Sequence, residues 1–216
     1  CKMTLLIHEL KRSRITVIIW AVIIAFMLSV SIMIYPEMEG QMSELSDMFA
    51  DMGSFTQAFG MDQLNFGEFM GYFGIECGNV LGLGGALFAA LTGISALAKE
   101  EKDKTAEFLL AHPVTRKSIA LQKMLSVICQ ITILNVIVII AAIGCIAAIK
   151  ADANYKELAL IFVSYYILQL EIGSITFGIS AFIKGGGLGI GLGLAMLFYF
   201  VNIISNLTEK AEALKY

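Results

Sequence analysis

Ile15–Tyr35 reads ITVIIWAVIIAFMLSVSIMIY, an unbroken run without one charged side chain. About 20 apolar residues, wound as a helix rising about 1.5 Å each, cross the roughly 30 Å hydrocarbon core of a bilayer. The run exceeds the roughly 7–15 apolar residues of a secretory signal, and no small-residue cleavage pattern follows it. It reads as a membrane-spanning helix. Further runs at Gly74–Ala98, Ile119–Ile149, Leu158–Ile183 and Leu188–Ile204 repeat the signature, and the charge collects between them. The chain therefore reads as all-α and polytopic, with five transmembrane helices in a single membrane domain over residues 1–216. Its 58% hydrophobic and 15% charged residues and its mean hydropathy of +0.80 exclude a soluble enzyme core. A net charge of −3 and a pI near 5.4 exclude a nucleic-acid partner, which would ask for a basic face.

Orientation follows from lysine and arginine. One side holds 11 of them, at Lys2, Lys11, Arg12, Arg14, Lys99, Lys102, Lys104, Arg116, Lys117, Lys123 and Lys184; the other holds 4, at Lys150, Lys156, Lys210 and Lys215. The positive-inside rule puts the N-terminus in the cytoplasm of a plasma-membrane protein. The loop over 36–73 then faces outward, with Glu37, Glu39, Glu44, Asp47, Asp51, Asp62 and Glu68 and no basic residue. Five spans leave 206–216 outside, and a sixth span is expected beyond Tyr216. Cys1 stands where a Met would start a chain, so the sequence reads as a fragment, with a lipidated Cys1 as the other reading. Cys77, Cys129 and Cys145 lie inside apolar runs and read as small hydrophobes. The N-x-T at Asn206 reads as a chance match.

Leu5, Leu6 and Leu10 among Lys2, Glu9, Lys11 and Arg12 predict an amphipathic elbow helix over 2–13, lying on the cytoplasmic surface before the first span. In the outer loop Met38, Met42, Leu45, Phe49, Met52 and Phe55 recur at helical steps and predict one or two amphipathic helices. Six of the chain's 11 methionines fall there. Thioethers are soft ligands for Cu(I), but the plainer reading is an adaptable apolar packing face, and no metal site is assigned.

The cytoplasmic stretch over 99–118 opens on alternating charge and then gives Ala106, Leu109 and Leu110 on one face. Pro113 ends that helix, and Thr115 is placed to cap the next one through Arg116. Phe108, Leu109 and Leu110 in so charged a setting suit a partner's groove better than water.

The run Glu100–Arg116, with Lys123 in the helix after it, resembles the cytoplasmic coupling loop of bacterial ATP-binding-cassette permeases of the type-2 exporter class. Glu100 and Glu101 supply the acidic start, and Thr105, Glu107, Leu109, Leu110, Pro113, Thr115 and Arg116 match the motif, with Lys104 where many relatives carry Gly. The layout of elbow, first span, long outer loop and coupling loop is similar over the whole chain. The resemblance implies a sixth helix, and a coupling loop and elbow that dock on a separate cytoplasmic ATPase subunit. It also implies a working unit of two permeases and two ATPases, with ATP and magnesium on the partner and no cofactor on this chain. Consistent with that, no phosphate-loop sequence occurs here.

Within the spans, Glu171 falls near the middle of the fourth, where an ionised carboxylate costs about 2.5–3.5 kcal/mol on insertion scales. Ser164, Ser174 and Gly178 share its helical face, which is expected to turn into the bundle, either as a protonated hydrogen-bonding group or as part of a substrate or proton path. Glu76 and Asn79 near the outer end of the second span, with Asn135 in the third, are the other candidates for the path; Asn135 also reads as interhelical glue. Gly74, Gly78 and Gly82, continued by Ala86 and Ala90, form a small-residue ladder, and Gly185, Gly189 and Gly193 form another. Both predict close helix packing; the second lacks the spacing of a phosphate cradle.

Two competing functions belong to other classes. The pair Glu100–Glu101 is similar to the paired glutamates of one intramembrane protease family, but the arginine that the resemblance implies shortly after is absent and His8 and His112 lie outside the spans. An ion-gradient carrier would use Glu171 as its coupling group, but the spans show no repeated or inverted pattern.

Overall fold

A computed structural model describes residues 4–38, 69–102, 115–183 and 187–207. The described residues are helical throughout apart from short connections. The elements are α1 (Thr4–Met38), α2 (Phe69–Cys77), a π-helical stretch Gly78–Gly85, α3 (Ala86–Lys102), α4 (Arg116–Ile149), α5 (Tyr155–Ser180) and α6 (Leu188–Leu207). α2, the π-helical stretch and α3 form one rod. Four segments, Leu5–Glu37, Phe69–Glu100, Arg116–Ile149 and Tyr155–Ser180, are long and apolar enough to cross a membrane. The fifth expected span is α6, whose apolar part Leu188–Val201 is shorter.

The expected elbow does not form a separate helix. Thr4–Met38 is one helix of 35 residues, about 50 Å at 1.5 Å per residue and longer than the roughly 30 Å core. No glycine or proline interrupts it between Leu5 and Tyr35, so nothing in the backbone forces a turn. Leu5, Leu6 and Leu10 are half-buried, and the Leu6 N–H donates to Gln122 Oε1 of α4 at 3.4 Å. The start of the helix is thus tied to α4 through its backbone.

The ends of α4 and α5 are set by local chemistry. Thr115 is extended and its Oγ1 accepts the Ser118 N–H at 3.3 Å, the cap expected from its place after Pro113. Asn154 Oδ1 accepts from the Lys156 N–H at 3.1 Å, and Asn154 Nδ2 donates to Glu157 Oε1 at 2.7 Å, closing a box at the start of α5. Between them Lys150 takes a left-handed conformation, φ 53°, and the Ala151 N–H reaches back to the Ile146 carbonyl at 3.4 Å. That is a Schellman ending, and it folds α5 back along α4.

α1 packs mainly on α4, α3 on α5, and α6 on α3. Edge-on and stacked rings of Tyr35, Phe69, Phe73 and Phe162 tie α1, α2 and α5 together at the end that the charge pattern places outside. The tightest contacts run along Gly85, Ala89 and Gly93, four residues apart, against Gln169, Gly173 and Thr176 of α5. A Cβ on Gly93 would lie 2.5 Å from the Gly173 carbonyl oxygen.

The predicted ladders are only partly the packing faces. A Cβ on Gly78 would meet the Tyr165 hydroxyl at 3.0 Å, Gly82 makes only ordinary contact with the same ring, and Gly74 is half-buried. A Cβ on Gly189 or Gly193 would meet no neighbouring element within 4 Å among the described residues; the residues that approach Ile94 and the Ala90 carbonyl are Gly187 and Gly191. Two residues along a helix is a rotation of about 200°, so the face read from Gly185, Gly189 and Gly193 is the opposite one. Gly185 itself lies outside the described residues.

Candidate functional site

At the end of the bundle that carries Arg12, Lys99 and Arg116, one lysine joins three helices. Lys123 of α4 is 2% exposed. Its Nζ donates to Glu9 Oε1 of α1 at 3.0 Å, to Glu100 Oε1 of α3 at 3.0 Å and to the Ala96 carbonyl at 2.8 Å. An ammonium has three protons, and three acceptors meet it. Burying a cation costs several kcal/mol, which its carboxylate partners repay only with good geometry. The carboxylate side chains remain 17% and 14% exposed, so the node sits at the edge of the packed interior.

Glu100 is therefore held near the end of α3, where the stretch read above as a coupling loop begins. Arg116 is exposed at the first turn of α4. Glu101 lies in α3, but its side chain is outside the described residues, as are Thr105, Glu107, Phe108, Leu109, Leu110 and Pro113. Glu9 was not singled out in the sequence. Its i, i+3 neighbour Arg12 and the lone lysine of an otherwise apolar span, Lys123, were the available signals.

Deeper in the bundle, Asn135 Nδ2 donates to Gln169 Oε1 at 2.7 Å and to the Ile131 carbonyl at 2.9 Å, bridging α4 and α5. Gln169 is fully buried, and its Nε2 has no hydrogen-bond partner among the described residues. It faces Gly85, where the π-helical winding ends. Sequence reading passed over Gln169 because a lone amide in an apolar run resembles any other.

Toward the opposite end, the Ser31 hydroxyl donates to Glu76 Oε2 at 3.0 Å and the Tyr72 hydroxyl donates to the Ser31 carbonyl at 2.9 Å. Glu76 is thus anchored between α1 and α2. Asn79 is half-buried within the π-helical stretch.

Glu171, Ser164 and Ser174 do not turn into this chain's bundle. All three are exposed on α5, with the Ser164 and Ser174 hydroxyls donating to the Leu160 and Leu170 carbonyls at 2.8 and 2.7 Å. The buried face of α5 is set by Leu158, Phe162, Gln169, Gly173 and Thr176, which fit the small residues of α3. Glu171 lies two residues from both Gln169 and Gly173, on the far side. The spacing grouped the polar residues correctly on one face but did not reveal which way it points.

Among the described residues no group of His, Cys, Asp and Glu is placed to hold a metal ion. Cys77 is buried, and Cys129 and Cys145 are partly so, all as free thiols.

Several helices long and apolar enough to span a bilayer define a multi-pass membrane protein. The family model described as ABC-2 family transporter protein matches residues 3–214, and the chain belongs to that family, as a permease of an ATP-binding-cassette transporter. No curated protein and no solved structure matches it.

Proposed function

We propose that the chain is the permease of an exporter, working as two copies in the plasma membrane with its N-terminus in the cytoplasm. ATP and magnesium belong to a separate cytoplasmic ATPase that docks on the stretch Glu100–Arg116. The observation that carries this reading is the Lys123 node. It fastens Glu100, where the coupling stretch begins, to Glu9 of α1, while Thr115, where the stretch ends, caps α4 itself. A push on residues 100–116 is passed to α1, α3 and α4 together.

The face of α5 bearing Ser164, Glu171 and Ser174 supports a second copy. The exposed side chains of α1 between Val17 and Tyr35, such as Ile18, Val22, Phe26 and Met33, are purely apolar and suit lipid. A carboxylate near the middle of a span does not, since lipid exposure costs it about 2.5–3.5 kcal/mol or more. A second permease or a water-lined path between two copies removes that cost and places Glu171 beside a passing substrate.

Replacing Leu109 and Leu110 together by Asp is expected to abolish copurification of the ATPase; unchanged stoichiometric copurification overturns the reading. The exposed Glu171 also supports a second reading, a carrier driven by an ion gradient. Transport by this chain alone in liposomes, lost on Glu171→Gln, would decide for it.

A further inference from the structure

Beside the Lys123 node lies a cleft of about 250 Å³ between α1, α3, α4 and the start of α6. Its lining changes character with depth. At the mouth stand Arg12 and Lys99, both exposed, with Ser13, Thr16 and Ser95 next to them. At its inner end are Trp20, Phe88 and Leu91, with the Trp20 and Phe88 rings 6.0 Å apart. Trp20 is eight residues beyond Arg12 on one helix, about 12 Å deeper. Besides Lys123, whose charge Glu9 and Glu100 balance, the lining holds two further cations, Arg12 and Lys99.

A basic, hydroxyl-rich mouth at the polar edge of the spans, with an aromatic and aliphatic floor, is complementary to an amphiphile of negative charge. The volume is below the roughly 300–1,000 Å³ of ordinary small-molecule pockets, so it takes a headgroup rather than a whole cargo molecule. Basic pockets between membrane helices on the cytoplasmic side hold anionic headgroups, and each nearby Lys or Arg contributes on the order of 1 kcal/mol.

We infer that this cleft binds the phosphodiester headgroup of an anionic phospholipid of the inner leaflet. The phosphate lies between Arg12 and Lys99, and the glycerol and first methylenes run toward Trp20 and Leu91. The assignment to the inner leaflet rests on the orientation proposed above. Because the cleft is bounded by the helices that Lys123 joins, the lipid wedges α1 against α3 next to the coupling stretch.

Native mass spectrometry of the full chain in detergent, titrated with phosphatidylglycerol, phosphatidylcholine and inorganic phosphate, tests this. Phosphatidylglycerol is expected to saturate a single site per chain and to outcompete phosphatidylcholine. The double variant Arg12→Gln/Lys99→Gln is expected to bind it about thirtyfold more weakly, the effect of removing two cations beside an anionic headgroup. Ser95→Phe, which fills the cleft and keeps its charge, is expected to lose the lipid as well, and it carries the test if the double variant does not fold. Undiminished retention in either folded variant, equal binding of phosphatidylcholine, or full displacement of the lipid by inorganic phosphate overturns the inference. ATPase copurification, measured on the same variants, reports on the permease reading separately.

Discussion

The Lys123 ammonium donates to Glu9 Oε1 at 3.0 Å, closing a contact between residues 114 apart in sequence. The same nitrogen holds Glu100 at 3.0 Å, so a single cation keeps two carboxylates from facing each other.

Lys123→Met is therefore expected to destabilise the protein by about 3–5 kcal/mol, the usual cost of breaking a buried pair. Glu9→Gln should cost less, because Glu100 still balances the ammonium. Unfolding in mixed micelles checks both, and a Lys123→Met melt indistinguishable from wild type would refute the node.

Glycine substitutions should follow contact distance. Gly93→Ala meets backbone, the Gly173 carbonyl oxygen at 2.5 Å, and is expected to lose about 1–3 kcal/mol. Gly85→Ala meets the Gln169 side chain, which is able to swing aside, and should lose less. Gly189→Ala meets nothing within 4 Å among the described residues and should stay within about 0.5 kcal/mol in the solubilised single chain. The ranking is read from thermal unfolding, and equal losses at Gly93 and Gly189 would contradict it.

Asn135→Leu alone leaves the Gln169 amide buried with neither end hydrogen-bonded by its neighbour, a loss of about 1–3 kcal/mol. Adding Gln169→Leu should restore much of it. A double-mutant cycle is expected to give a coupling of about 0.6–2 kcal/mol, the range for interhelical hydrogen bonds in membranes. A coupling of zero would mean that the 2.7 Å contact contributes nothing.

Lys150→Gly should stabilise by about 0.5–1 kcal/mol. Lysine pays the steric penalty of a left-handed backbone at φ 53°, whereas glycine does not. A lower melting temperature would contradict the Schellman ending.

What was legible in the sequence is what neighbouring residues decide. The charge-free run Ile15–Tyr35 could only be a span, and Thr115 after Pro113 could only begin one. Illegible were the choices made by contact with distant segments. Ser164, Glu171 and Ser174 were grouped on one face by spacing, but the inward direction of α5 depends on how Gln169 and Gly173 fit Gly85, Ala89 and Gly93. Gly187 and Gly191 were preferred over Gly189 and Gly193 by Ile94, about 90 residues earlier. The elbow does not stand apart as its own helix because no glycine or proline separates it from the span, and amphipathicity alone does not mark a break.

The wide winding over Gly78–Gly85 lets the two halves of one span keep independent azimuths, so that Glu76 addresses α1 while Gly93 addresses α5. A loop of slack wound into a rod absorbs errors of length. Removing one residue from this stretch should tighten it toward ordinary α-helix and leave the contacts at both ends in place. The same deletion inside α3 would turn everything on one side of it by about 100°.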